Sequence, residues 1–252
     1  MVQKIKSLVF NTFNDNYRMI KQNTLSLVPM RSEASDKAEM VNQILFGETF
    51  EILEVQEKWS LVELTHDRYK GWVCNKQISD IAFEPRHCFT EATNLRISFG
   101  SKSVLLSPGS YLPAEHNQSE TVRKSTIETA RWFLGTPYLW GGRSIFGIDC
   151  SGLMQILFRM SGVNIPRDAS EQASIGQDIL LIEEAQSGDL AFFDNSEGRI
   201  IHVGLIERQG EKLMIYHASG EVRCDPLDHQ GIFQTETGKY SHTLRIIKRI
   251  NS

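Results

Sequence analysis

The sequence predicts an α+β protein, and three features predict it. Residues from about 26 to 81 mix short β-branched and aromatic runs with polar turns. Residues 119–161 carry two apolar patterns of helical period. Beyond residue 188 the chain returns to strand-like runs, several alternating with period two, so helices precede an antiparallel meander. A chain of 252 residues has ample length to bury such a core in one large or two smaller domains.

Taken in order, the N-terminal unit reads as a small β-barrel. Phe50-Glu51-Ile52-Leu53-Glu54-Val55 and Trp59 to Leu64 are strand-like. A polar turn, His66-Asp67-Arg68, then leads to the return Gly71-Trp72-Val73. The run Trp59…Tyr69-Lys70-Gly71-Trp72-Val73 resembles bacterial SH3 domains, and residues 1–82 are assigned to this unit with an N-terminal extension. Residues 83–115 hold Pro85, Pro108, Pro113, Gly100 and Gly109 around short apolar runs, and read as a linker or a reduced second unit of the same kind. Residues 116–252 form the third division.

Within that division, Ser119 precedes Val122, Ile127, Ala130, Trp132 and Phe133, an amphipathic helix ended by Gly135 and Pro137. A second helix runs from near Cys150 to about Ser161, stopped by Gly162. Only Gln155 and Arg159 among its members are strongly polar, so it is expected to be buried. Strands are expected at about 189–194, 199–207, 212–218 and 243–250.

Cys150 stands where the buried helix starts, between Gly147 and Gly152. Free N–H groups and the helix dipole there favour an anion, which predicts a lowered thiol pKa and a ready oxyanion site. Most free cysteines are simply small buried hydrophobes. Two histidines weigh against that. A hairpin centred on Gln209-Gly210 sets His202 directly opposite His217 on one face, with Cβ atoms about 4.5–5.5 Å apart. One such histidine takes a thiol proton and the other holds it in orientation. A satisfied core pair, or a metal site completed by a cysteine, is the competing reading. His66, His87, His116, His229 and His242 sit in polar or turn-like surroundings and are expected at the solvated surface.

Composition excludes several classes. A balance of 27 basic against 31 acidic residues gives no pull toward nucleic acid or an anionic membrane. Four cysteines (Cys74, Cys88, Cys150, Cys224) without a C-x-x-C pair support neither a disulfide scaffold nor a structural zinc site. The apolar run after Lys4 and Lys6 is too short for a signal-peptide core, and no stretch is long enough to span a bilayer, so a cytoplasmic protein is expected. Oligomeric state leaves no mark on the sequence.

Gly135-Thr136-Pro137-Tyr138-Leu139-Trp140-Gly141-Gly142, then Asp149-Cys150-Ser151-Gly152, resembles the signature of the NlpC-type cysteine peptidases of bacterial cell-wall metabolism. Ile165-Pro166-Arg167-Asp168-Ala169-Ser170-Glu171-Gln172, Gly188-Asp189-Leu190-Ala191-Phe192-Phe193 and His202-Val203-Gly204 continue it in order. The resemblance implies a papain-like fold and a Cys150, His202, His217 triad. With the SH3-like unit added, the chain is similar to the γ-D-glutamyl-L-diamino acid endopeptidases (dipeptidyl-peptidase VI). These cut murein peptides that carry a free N-terminal L-Ala. It further implies an oxyanion hole from Tyr138 and the Cys150 N–H, and a substrate site lined by Trp140, Asp149, Ser151 and Asp168. Asp149 equally reads as a helix cap. The stretch Ala38-Glu39-Met40-Val41-Asn42-Gln43 and Tyr69 resemble the segments that carry the acidic residue and tyrosine for the free amine in that group, and Glu39 and Tyr69 equally read as ordinary surface or barrel residues. Relatives often carry two full SH3 domains, whereas the second is short or absent here. Thiolate acyl transfer needs no metal or organic cofactor. An amidase or acyltransferase on the same scaffold, and an inactive wall-binding module, are the alternatives.

Overall fold

A computed structural model describes residues 20–89, 95–114 and 125–250, the side chains of 85–89 excepted. His116, the residues read for a leader, and the 119–122 start of the first helix lie outside the described residues, as does the side chain of Cys88.

The N-terminal unit contains β1 (Ile20–Gln22), β2 (Leu27–Arg31), β3 (Met40–Leu45), β4 (Thr49–Val55), β5 (Trp59–Leu64) and β6 (Lys70–Cys74). Their order is β1-β4-β5-β6-β2-β3, antiparallel throughout. The expected closed barrel does not form, because β3 and β1 end the order without pairing and a single position, Arg31 opposite Trp72, joins β2 to β6. Val28, Met30, Ile44, Phe50, Val62, Leu64 and Val73 fill its core, as alternation along each strand requires. Next come β7 (Pro85–Phe89), β8 (Leu95–Phe99), β9 (Lys102–Leu106) and β10 (Tyr111–Pro113). They form two two-stranded pairs, with Ile97, Val104, Leu106 and Leu112 gathered around the buried Phe46.

The C-terminal part opens with α1 (Thr126–Trp132). Ser125 and Glu128 close a capping box there, so α1 begins at Thr126 directly after that cap; the Ser-x-x-Glu signal was present in the sequence. A tight hairpin of β11 (Arg143–Ser144) and β12 (Gly147–Ile148) leads into α2 (Cys150–Met160), and α3 (Ala169–Gln172) follows. Strands β13 (Gln177–Ile179), β14 (Leu190–Asp194), β15 (Ile200–Gln209), β16 (Lys212–Ser219), β17 (Glu221–Leu227), β18 (Gly231–Gln234) and β19 (Lys239–Arg249) complete one sheet. Its order is β13-β19-β14-β15-β16-β17-β18, and β18 bonds back to β19. Six strands therefore close into a ring where the sequence suggested an open meander. Ala191, Phe193, Ile206, Ile215, Ile232 and Ile247 form one cluster on the sheet, while the alternate residues Leu190, Phe192, Val203 and Leu205 pack with α2.

All eleven residues of α2 are buried. Each of Leu153, Met154, Ile156, Leu157 and Phe158 contributes roughly 1.5–3 kcal/mol by leaving water. The helix is apolar nearly all round because it is covered twice, by the C-terminal sheet and by Leu45 and Leu27 of the N-terminal unit. Its two polar members complete the joint. Gln155 donates to Asp67 Oδ2 at 2.7 Å, and Arg159 pairs with the buried Glu48. Arg143 adds two bonds to Glu48, at 3.1 and 2.9 Å, and a third to the Gln43 carbonyl. His66, expected at the surface, is packed in this cluster 3.2 Å from Asp67 and 3.8 Å from Glu48.

Candidate active site

The loop between α1 and α2 is tied to the residue that starts α2. Asp149 caps that helix, accepting from the Gly152 N–H at 2.7 Å, and its other oxygen accepts from the Gly141 N–H at 2.8 Å. Arg167 grips the same carboxylate at 3.1 and 2.5 Å and reaches Ser151 Oγ at 2.8 Å. Its Nε donates to Asn42 of β3 at 3.0 Å, which links the loop, the helix and the N-terminal sheet. Gly141 has φ +75, and a Cβ there would sit 2.4 Å from the Met40 carbonyl oxygen, so only glycine permits this approach.

These connections bring most of the residues singled out by sequence to one cavity of about 440 Å³, though His202 and His217 are not among the residues that line it. Cys150, Tyr138, Trp140, Asp149, Ser151 and Asp168 line it, together with Glu39 and Tyr69 from the N-terminal unit. Trp140 is 59% exposed, whereas Asp149 and Ser151 are buried. Arg167 also lines the cavity; it was quoted within a motif but given no role, because its partners are remote in sequence.

Cys150 is 7% exposed, and burial pushes its thiol up to about 12, with the Asp149 charge adding to the effect. The Val203 and Ser151 backbone acts in the opposite sense. The lowered pKa expected from the helix terminus is thus overturned by desolvation. Burial likewise drives His202 well below its ordinary value, and His217 and His242 add to this. Both groups therefore rest neutral, a thiol at Cys150 and an imidazole at His202. Burial also raises the Tyr138 and Tyr69 hydroxyls to about 12, and it raises Asp168.

The two histidines do meet, though not as direct cross-strand partners. His217 faces Gly204 and His202 faces Phe193 of β14. The hairpin turns at Gly210-Glu211, with Gly210 at φ +64, one residue beyond the expected centre. A one-residue move of the centre shifts pairing by two and leaves both side chains on the same face. The rings meet diagonally, His202 Nε2 to His217 Nδ1 at 2.9 Å. His242 is no surface residue. It stacks on His202 with ring centroids 4.1 Å apart and an interplanar angle of 18°, placed there by the ring closure that brings β19 alongside β14. Asp225 lies 2.9 Å from His217 Nε2, a contact the sequence reading also missed.

The NlpC/P60 family matches residues 135–240, and the bacterial dipeptidyl-peptidase SH3 domain matches residues 30–78. The γ-D-glutamyl-L-lysine dipeptidyl-peptidase of Bacillus subtilis (strain 168) is 35% identical over 211 residues, covering 68% of this chain and 70% of that one. The chain belongs to the NlpC/P60 family. It is a cysteine-type hydrolase with an SH3-like N-terminal domain, although the sheet of that domain stays open. Dipeptidyl-peptidase 6 of Lysinibacillus sphaericus is 28% identical across 77% of this chain and 86% of its own. In fold, the chain resembles the crystal structure of an NlpC/P60 family protein from Bacillus cereus ATCC 10987. The TM-score is 0.70 at 20% identity, over 92% of this chain and 99% of that one.

Proposed function

We propose that this hydrolase cuts the bond between γ-D-Glu and the diamino acid of murein peptides that carry a free N-terminal L-Ala. One observation carries the reading: Glu39 and Tyr69, from the N-terminal unit, line the same cavity as Cys150. A carboxylate on the wall of that cavity, here the exposed Glu39, selects an ammonium group and limits how many residues fit before the nucleophile. The names of two relatives, the γ-D-glutamyl-L-lysine dipeptidyl-peptidases of Bacillus subtilis and Bacillus cereus, support this bond and substrate class, and that of dipeptidyl-peptidase 6 from Lysinibacillus sphaericus supports release of a dipeptide.

In this reading Cys150 attacks the γ-D-Glu carbonyl as its proton passes to His202, and His217 orients His202. The Val203 and Ser151 backbone supports the sulfur as charge develops. The Cys150 backbone N–H, one of the unpaired donors of the first helical turn, and the Tyr138 hydroxyl hold the oxyanion. His202 then returns the proton to the departing amine, and water releases the acyl group by the reverse path. Asp149 holds the α2 terminus and Arg167, while Trp140, Ser151 and Asp168 line the substrate's course. Residues 1–82 serve as the SH3-like wall, 83–115 as the joining unit and 116–252 as a papain-like peptidase domain.

The test is incubation with L-Ala-γ-D-Glu-diaminopimelate, L-Ala-γ-D-Glu-L-Lys and their N-acetylated twins, with products followed by mass spectrometry. Release of L-Ala-D-Glu from the free-amine peptides alone, abolished in Cys150→Ala, is the expected result. Equal cleavage of acetylated and free peptides removes the amine-gate role of Glu39 and Tyr69. No cleavage of any of them overturns the assigned bond and favours an amidase or acyltransferase.

A further inference from the structure

The hydrogen-bonded chain does not end at the second histidine. His217 Nε2 meets Asp225 Oδ2 at 2.9 Å, and Asp225 is 4% exposed. Arg223 clamps the same carboxylate, Nε to Oδ2 at 2.6 Å and Nη2 to Oδ1 at 3.0 Å, and itself pairs with Glu236. In register, Arg223 faces His217 and Asp225 faces Ile215, so strand alternation sets all of these side chains on one face.

We infer that Asp225 is a positioning residue that fixes the tautomers of both histidines and thereby decides which nitrogen of His202 serves as base. The inference rests on the roles proposed above for Cys150, His202 and His217. A carboxylate only accepts hydrogen bonds. Burial favours the neutral acid, yet the bonds from His217 and Arg223 outweigh it and keep Asp225 ionised. With one ring proton, His217 carries it on Nε2, facing the Asp225 carboxylate. Its Nδ1 is then an acceptor, so the proton of His202 sits on Nε2, 2.9 Å away. Nδ1 of His202 is left with the lone pair, and it is the nitrogen that takes the thiol proton.

The step balances without moving any other proton. The Cys150 S–H bond breaks as its electron pair goes to the attacked carbonyl carbon, and an N–H bond forms at His202 Nδ1. The imidazolium keeps donating from Nε2 to His217, and Asp225 stays a carboxylate. On collapse of the intermediate, Nδ1 gives the proton to the departing amine. The other charged or titratable groups facing this array are His242, stacked on His202 with its ring 6.0 Å from that of His217, and the Arg223–Glu236 pair. Arg223 offsets much of the Asp225 charge as felt at His202, so Asp225 acts chiefly on proton placement.

Asp225→Asn tests this with little change of shape. Three N–H groups converge on Asp225, and an amide offers one oxygen, so at least one contact becomes donor against donor. With the amide NH2 turned to His217, moving the His217 proton to Nδ1 relieves the contact there and leaves His202 protonated on the nitrogen that should be the base; with the oxygen turned to His217 the clash falls on Arg223 Nη2, so Asp225→Leu, which offers His217 no acceptor, is measured beside it. The first readout is the ring ¹⁵N spectrum of histidine-labelled protein. Both His202 and His217 are expected as Nε2–H tautomers in the wild type, with the Nδ1–H forms appearing in Asp225→Asn. The second is a kcat lower by about 10–100-fold with KM unchanged, matched by slower alkylation of Cys150 by iodoacetamide. A wild-type spectrum with His217 protonated on Nδ1, or folded Asp225→Asn and Asp225→Leu variants that both keep the wild-type kcat and alkylation rate, overturns the inference. Alkylation needs no substrate, so it separates the two readings. If His202→Ala leaves the wild-type alkylation rate unchanged, the base assignment itself falls, and this inference with it. If His202→Ala slows it and neither Asp225→Asn nor Asp225→Leu does, only the role of Asp225 falls.

Discussion

Replacing Glu48 with glutamine removes one negative charge from the joint between the N-terminal sheet and α2 while keeping the shape of the side chain. The carboxylate is fully buried between Arg143 and Arg159, which are buried as well. Burial by itself would raise its pKa, but Arg143, Arg159 and His66 outweigh that and bring it from 4.5 to about 2. At about 1.4 kcal/mol for each pH unit, the carboxylate contributes about 3 kcal/mol to folding near neutral pH. An independent estimate agrees, since breaking a buried pair by removing one partner costs about 3–5 kcal/mol. Because the folded pKa is the lower one, this contribution is complete above 4.5 and is lost as the pH falls from there through about 2. Glu48→Gln lacks it at every pH. Urea unfolding near neutral pH should therefore show the variant less stable by about 3 kcal/mol, or about 6–12 °C in Tm for a chain of this size. Repeated near pH 3, the gap between the two proteins should narrow. A gap below about 1 kcal/mol at neutral pH, the worth of an exposed pair, would refute the reasoning, as would a gap that does not change with pH.

Three further outcomes follow from the site. His242→Phe keeps a ring against His202 and should hold kcat/KM within a few-fold, whereas His242→Ala should lower it by about 2–10-fold, the worth of one aromatic contact. Burial lowers His242 from 6.5 to about 4, so its neutral form supports the fold above 6.5 and that support is lost as the pH falls through about 4; thermal melts of His242→Phe should lack this acid loss. Gly141→Ala forces a left-handed backbone on a residue with a Cβ, costing about 1–2 kcal/mol before its collision with the Met40 carbonyl is counted. Calorimetry should show the loss of stability, and kcat/KM should drop with it because Tyr138 and Trp140 share that loop.

Much of this protein was settled by local sequence. The buried helix from Cys150, its Asp149 cap and the common face of His202 and His217 depend on helical period, capping chemistry and strand alternation, which are properties of neighbouring residues. Even the misplaced hairpin centre kept the histidines together, because a shift of two preserves the face. Chain closure and charge pairing depend on residues far apart in sequence, and only the tertiary structure decided them. The N-terminal strands read as a barrel but stay open, while the C-terminal strands read as a meander but close through β18 and β19; alternation says which face is apolar, never which strand ends meet. That closure turned His242 from an apparent surface residue into a neighbour of His202. Glu48, His66, Arg143 and Arg159 are unremarkable charges along the chain and become one buried cluster only when two units come together. The thiol pKa followed the same rule, because the helix terminus that favours a thiolate is local, whereas the burial that outweighs it comes from the whole fold.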